Sequence, residues 1–124
     1  MCEERSEEEI TREILKAIEK DYGFIPLVNE VLSERPDIFI PVANANKSVF
    51  YGKGELSRKT RYLTALAAAA ALGAEHCIEV QMRQAVKAGA TKNEILETMQ
   101  IAGVMSMTRA QSYAFRKFKE MFPK

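Results

Sequence analysis

Side chains capable of thiol chemistry lie close together in one part of the chain, at Cys77, His76 and Gln81. Cys77 comes four residues after Gly73, and this break predicts that the cysteine falls in the first turn of a helix. Unpaired backbone amides and the helix dipole favour an anion at such a position, and therefore the thiolate form of a cysteine. Gln81 lies one helical turn later, on the same face as Cys77. This placement is typical of a reactive thiol.

Other features favour a structural role for the same residues. Glu75 and Glu79 place negative charge near Cys77, which disfavours a thiolate if they face it. Free cysteine is also among the residue types most often buried. His76 is the single histidine, and neighbouring residues of a helix point about 100° apart, so it need not contact Cys77. Taken alone, the local pattern favours a small buried Cys77 and a surface His76.

The sequence predicts no metal site and no cofactor. One histidine and two cysteines, Cys2 and Cys77, cannot supply the four ligands of a structural zinc site. The same two cysteines form no disulfide framework. No strand precedes a glycine-rich loop, which excludes the nucleotide-binding fingerprints.

Capping residues and glycines predict an all-α fold with six or seven helices. Ser6 with Glu9 and Thr91 with Glu94 form capping boxes at two helix starts. Glycine in the left-handed conformation is typical of helix ends, as at Gly73. The predicted helices cover residues 7–22, a short stretch that begins near Pro26 and stops before Pro36, and then 37–51, 58–72, 74 or 75 to 88, 91–105 and about 108–121.

Apolar residues at helical spacing predict the buried side chains. In the third helix these are Ile38, Phe39, Val42, Val49 and Phe50, and Pro41 is expected to end or kink the first turn. The inward positions expected in later helices are Ile78, Met82, Ala85, Val86, Ile95, Leu96, Met99, Ala102 and Met105.

The last helix carries more apolar surface than one packed face requires. Its aromatic residues Tyr113, Phe115, Phe118 and Phe122 fall on more than one face. Surplus apolar surface of this kind marks a partner site, and identical copies are the commonest partners. We therefore expect a homo-oligomer.

The composition excludes several classes of partner. The chain has 124 residues, 47% hydrophobic and 28% charged, which predicts a single domain over residues 1–124. Eighteen basic and seventeen acidic residues leave a formal charge of +1, unlike a nucleic-acid binder. The longest apolar run, residues 63–72, is too short for a membrane span of ~20 residues. The acidic N-terminus lacks the apolar core of a signal peptide, so we expect a soluble, cytoplasmic protein.

Several segments carry a resemblance to a known family. They are LSRKTR at 56–61, the Ala-rich helix that follows, GAEHC at 73–77, AGAT at 88–91 and EI at 94–95. Together they resemble the alkylhydroperoxidase D-like / carboxymuconolactone decarboxylase family, and ERP at 34–36 is similar to its peroxidase-related branch. The resemblance covers about residues 24–118. It implies an alkylhydroperoxidase D-like helical domain that assembles into homo-oligomers, often trimers or hexamers.

The catalytic motif departs from the pattern of that family. Active thiol members carry a Glu in the long helix, then Cys-x-x-Cys, then a His four residues after the second Cys. The matching positions here are Tyr62, Ala74, Cys77 and Gln81, so the second Cys alone is kept. His76 matches a His that some members carry just before that Cys, and decarboxylase-type members also place a His where Gln81 stands. The resemblance thus implies a site of Cys77, His76, Gln81 and Tyr62.

Three functions remain open at this point. The first is a peroxidase-like antioxidant oxidoreductase, in which Cys77 attacks a peroxide and an external thiol, or Cys2 of the same or a neighbouring chain, reduces the sulfenate. The second is a lactone decarboxylase in which Arg58, Arg61 or Arg83 grips a substrate carboxylate. The third is an inactive oligomeric binding protein, which the missing acid–base groups favour, since such groups contribute ~10²–10⁴ in rate. The predicted function is the first.

Overall fold

A computed structural model describes residues 4–124 of the chain. The described residues form six α-helices and no strand, which confirms the predicted all-α fold. The helices are α1 (Glu7–Tyr22), α2 (Leu27–Leu32), α3 (Pro36–Tyr51), α4 (Arg58–Leu72), α5 (Glu75–Lys87) and α6 (Lys92–Met121). Cys2 lies outside the described residues. No helix within residues 4–124 combines the length and the apolar character needed to cross a membrane.

The chain divides into two compact units, an N-terminal unit (Met1–Glu55) and a C-terminal unit (Leu56–Lys124). In the N-terminal unit α3 packs against α1 and α2, and in the C-terminal unit α4 packs against α5 and α6. The single domain expected over residues 1–124 stays a prediction.

The N-terminal unit begins with the predicted capping box. The Ser6 hydroxyl accepts a hydrogen bond from the Glu9 amide at 3.2 Å, and the Glu9 carboxylate accepts one from the Ser6 amide at 3.3 Å. These bonds satisfy two amides that the first turn of a helix leaves without partners. The start of α1 is therefore fixed by local chemistry.

The predicted buried side of α3 is largely wrong. Phe39 is completely buried, but Ile38, Val42 and Val49 are exposed. The packing of α1 and α2 against α3 leaves these three side chains uncovered. Pro41 does not end the helix, because a proline there removes only the hydrogen bond to the Asp37 carbonyl and leaves the rest of α3 intact.

The C-terminal unit builds its core between α4 and its two neighbours. Buried apolar side chains come from all three helices: Tyr62, Leu66, Ala69, Val80, Ala85, Ile95 and Ala102. Small Ala side chains on α4 let the neighbouring helices approach closely, as a packed core requires. Val86, Leu96 and Met105 were expected inside and are exposed. The buried face of α5 is formed by Val80, Gln84 and Ala85, and that of α6 by Ile95 and Ala102.

The helix α6 is continuous, so the expected break near Thr108 is wrong. The predicted capping box of Thr91 and Glu94 starts it. The Thr108 hydroxyl donates to the Val104 carbonyl at 3.0 Å, so this residue bonds within the helix rather than beginning a new one. The first half of α6 lies against α4, and the Ser106 hydroxyl donates to the Ala71 carbonyl at 3.3 Å. Every residue from 107 to 124 is exposed.

Candidate functional site

The turn between α4 and α5 positions the candidate thiol. Gly73 has a φ of 70°, a left-handed conformation that side chains disfavour. The Ala74 amide donates to the Ala69 carbonyl at 2.9 Å, and the Gly73 amide to the Ala70 carbonyl at 3.2 Å. This pair of bonds is a Schellman motif, which ends α4 and makes Ala74 the residue that precedes α5. Cys77 is thereby fixed as the third residue of α5.

The Cys77 thiol is exposed, so its interpretation as a small buried residue is wrong. Ala74 precedes the helix without a side-chain cap, and the Ile78 amide is the one that bonds to the Ala74 carbonyl, at 2.9 Å. The amides of residues 75–77 come before this first intrahelical bond and have no acceptor inside the helix. An accessible thiol therefore lies where the start of a helix stabilises negative charge.

One of the two acidic neighbours of Cys77 is engaged in an ion pair. The Glu79 carboxylate lies 2.7 Å from the Arg83 guanidinium, one turn along α5. This pairing offsets the negative charge that counted against a thiolate, although Glu75 stands in the first turn as well. His76 is exposed beside Cys77, as a surface histidine is expected to be.

Along α5, the side chains on the same face as Cys77 become progressively more buried. Gln81 lies one turn after Cys77 and is half-buried, and Gln84 lies a further turn along and is buried. The Gln81 Oε1 atom is buried and accepts no hydrogen bond from any residue of the part of the chain that the structure describes. Sequence patterning did not single out Gln84, although its spacing of seven from Cys77 puts both on one face.

The structure does not bring all four predicted site residues to one surface. Cys77 and His76 are exposed, Gln81 turns its oxygen inward, and Tyr62 is buried at 5% exposure in α4. Tyr62 is the residue that the resemblance matched to the acid of the family pattern. An amide and a buried phenol do not replace the usual proton-transfer groups at neutral pH, so the thiol is the group best placed for chemistry here.

Two of the arginines considered for carboxylate binding already have partners. The Arg61 Nε donates to the Leu56 carbonyl at 3.1 Å, and Arg83 pairs with Glu79. A substrate carboxylate would therefore share each guanidinium with an existing partner. No group of three or more His, Cys, Asp or Glu side chains placed to hold a metal ion occurs within residues 4–124.

A charged pair ties the starts of α4 and α6 together. The Lys59 Nζ lies 2.9 Å from a Glu94 carboxylate oxygen. The hydrogen bond from Lys59, followed by the one from the Thr91 amide, holds the pKa of Glu94 below its ordinary value. This pair lies on the scaffold of the unit that carries Cys77.

Comparisons with known proteins agree with this architecture. A model of the carboxymuconolactone decarboxylase family matches residues 36–120. The uncharacterized protein MJ1511 of Methanocaldococcus jannaschii is 35% identical over 80 residues, which cover 63% of this chain and 74% of that protein.

Proposed function

Because the chain belongs to the carboxymuconolactone decarboxylase family, we propose that it is a one-cysteine, peroxidase-like antioxidant oxidoreductase. Cys77 is the attacking residue, and a small external thiol is the reductant. The observation that carries the proposal is the exposed thiol in the uncapped first turn of α5. Helix starts of this kind are a recurrent setting of reactive cysteines.

One turnover consumes one peroxide and two external thiols. The Cys77 thiolate attacks a peroxide oxygen, the O–O bond breaks, and the leaving alkoxide or hydroxide takes a proton from water. Sulfur gives up two electrons and becomes a sulfenic acid. One external thiol displaces water to form a mixed disulfide, and a second releases the Cys77 thiol and leaves as a disulfide.

This chain has fewer side chains that could take part in these steps than an enzyme with two active-site cysteines. Ala74 stands where a resolving cysteine would stand, so the external thiol must reach Cys77 itself, and its exposure permits this. His76 and Gln81 are the polar neighbours along α5, and neither is assigned proton transfer. Turnover is therefore expected to be slow compared with members that keep the full motif.

Two alternatives within the family have less support. A lyase acting on a carboxylated ring would need a proton-transfer group and a free arginine, yet Arg61 and Arg83 are bonded to Leu56 and Glu79. A catalytically inactive binding protein would account for Tyr62 and Gln81. It would not need an exposed thiol at the start of α5.

The proposal is tested by following hydrogen peroxide consumption with dithiothreitol as the reductant. The Cys77→Ser variant is expected to lose the protein-dependent rate, and Cys2→Ser, which keeps the other thiol, is the matched control. Mass spectrometry after peroxide and a sulfenate-trapping reagent should find the adduct on Cys77 and not on Cys2. Iodoacetamide should also alkylate Cys77 faster than Cys2 at pH 7.

Three results would contradict the proposal. Equal labelling and equal alkylation of Cys2 and Cys77 would mean that the start of α5 gives no special reactivity. A Cys77→Ser variant that consumes peroxide at the parent rate would mean that another group carries the reaction. A parent that consumes no peroxide would favour the inactive binding protein.

A further inference from the structure

The second half of α6 is an exposed amphipathic helix. We define residues 107–122 as the C-terminal segment, in which every residue is exposed. At about 100° per residue, its apolar side chains fall within about 140° of the helix circumference. They are Met107, Ala110, Ala114, Phe115, Phe118, Met121 and Phe122. Phe118 and Phe122 already contact each other, with ring centroids 5.0 Å apart.

The aromatic residues of this helix lie on more than one face, as the sequence predicted, because Tyr113 is separated from the three Phe residues. Tyr113 lies opposite the apolar face, and the Arg116 guanidinium is 6.0 Å from its ring centroid. The three Phe residues share the apolar face. Gln111 is the one polar residue of the segment that falls within this face. An apolar face of this width, rather than scattered exposed residues, marks a docking surface.

The C-terminal segment is also basic. It carries Arg109, Arg116, Lys117 and Lys119 against a single acid, Glu120. Lys117 and Lys119 lie on opposite flanks of the apolar face. Two such segments facing each other would bring like charges together, so the charge pattern favours an acidic partner surface.

The N-terminal unit has a net negative charge and exposes several apolar side chains. It has twelve acidic and seven basic residues, a net charge of −5, whereas the C-terminal unit has five and eleven, a net charge of +6. On α2, Leu27, Val28 and Val31 are 69%, 68% and 56% exposed. Glu30 and Glu34 lie next to these residues in the chain.

We propose that the C-terminal segment of one copy docks on α2 in the N-terminal unit of a second copy, with the Phe side chains against Leu27, Val28 and Val31. Each copy donates one segment and receives one. This single arrangement covers the apolar face of the C-terminal segment and the exposed apolar side chains of α2, and it pairs the basic segment with the acidic unit. A lipid surface would attract the basic segment but would leave the acidic N-terminal unit uncovered.

Sedimentation of the full chain tests the association. The parent is expected to exceed the 14.0 kDa monomer mass at micromolar concentration. Phe118→Glu should raise the dissociation constant by about thirtyfold or more, the size of a hot-spot loss. Tyr113→Glu is the matched control, because Tyr113 and Phe118 are 61% and 62% exposed on opposite faces of one helix. It should leave the association unchanged.

A second variant tests the receiving surface. Val28→Glu should weaken association as Phe118→Glu does, while the circular dichroism of both variants should stay helical, because both side chains are exposed. Carbodiimide coupling of an isotopically labelled copy to an unlabelled one should join Lys117 or Lys119 to carboxylates of the N-terminal unit of the other copy.

Four results would overturn the proposal. One is a parent that stays a 14.0 kDa monomer at about 100 μM. Another is equal weakening by Phe118→Glu and Tyr113→Glu. A third is coupling found solely within one chain. The fourth is binding of the parent monomer to vesicles of anionic lipid that Phe118→Glu abolishes, which would assign the segment to a membrane surface instead.

Discussion

The two units of the chain bury their apolar side chains to different extents. The C-terminal unit buries seven apolar residues contributed by α4, α5 and α6, including the large side chains of Tyr62 and Leu66. Within the described residues of the N-terminal unit, Phe39 is the single buried apolar side chain. Hydrophobic burial is the main favourable term in folding, so the two units differ in how far they stabilise themselves.

The difference lies in packing rather than in composition. The N-terminal unit has enough apolar residues for a core, but Leu27, Val28 and Val31 on α2 and Ile38, Val42 and Val49 on α3 are exposed. The neighbours of α3 in this unit are α1 and the six-residue α2, and they leave these side chains uncovered. The candidate thiol is carried by the unit with the fuller core, where a rigid scaffold can fix its position.

The strongest test of this comparison is truncation of one core residue in each unit. Phe39→Ala should cost about 3–5 kcal/mol and Leu66→Ala about 2–5 kcal/mol in the free energy of unfolding. Amide hydrogen exchange of each variant locates the loss. We expect Phe39→Ala to remove protection throughout residues 4–55, because no second buried apolar side chain there compensates, and Leu66→Ala to spare part of the other unit. Equal, global loss of protection in both variants would mean that the units share one stability.

The two capping boxes provide a smaller and better matched comparison. Ser6→Ala and Thr91→Ala each remove one side-chain acceptor and should each cost about 1 kcal/mol. We expect the loss at Ser6 to appear as fraying of α1 under native conditions, since less packing holds that helix. Thr91→Ala should change the urea midpoint without detectable fraying. Similar exchange behaviour at both helix starts would remove the distinction between the units.

The smallest expected effect is on the pH dependence of stability. The pKa of Glu94 is held below its ordinary value of 4.5, chiefly by Lys59. A carboxyl whose pKa is lowered by folding contributes stability that is present above pH 4.5 and is lost as the pH falls below it. Glu94→Gln should therefore flatten the stability curve of the C-terminal unit in that acidic range.

The corresponding ion pair in the N-terminal unit, Arg35 with Asp37, joins residues only two positions apart. Arg35 lowers the pKa of Asp37 from 3.8 by a hydrogen bond within one helix start. Asp37→Asn should act at still lower pH and on α3 alone. Urea unfolding followed between pH 3 and 7 separates the two, and identical curves for the parent and Glu94→Gln would show that the pair contributes nothing measurable.

Helix starts and ends were predictable from the sequence because their chemistry is local. The cap of α1 at Ser6, the cap of α6 at Thr91 and the turn at Gly73 all depend on residues within one turn of each other. Burial was harder to predict, because a helical pattern shows that a face is apolar but not whether a neighbour covers it. Ile38, Val42 and Val86 lie on apolar faces that remain exposed.

The candidate site shows the same division. The position of Cys77 in the first turn of α5 followed from Gly73, whereas its exposure depends on how α5 packs against α4. The buried face of α5 includes Val80 and Gln84. Because Gln84 is polar, the spacing of apolar residues did not identify this face. The continuity of α6 past Thr108 was missed because a threonine that can begin a helix can also bond to a carbonyl one turn before it.

Because α6 is unbroken, the number of residues in it also fixes the direction in which its exposed apolar face points. The half of α6 that is anchored to α4 through Ser106 and the half that presents Phe115 and Phe118 form one rod, so their angular phase is fixed. Inserting one residue between them would turn the apolar face by about 100°, and inserting seven would return it to within about 20°. The stretch can therefore tolerate many changes of residue type, but changes of length are tolerated only near whole numbers of helical turns.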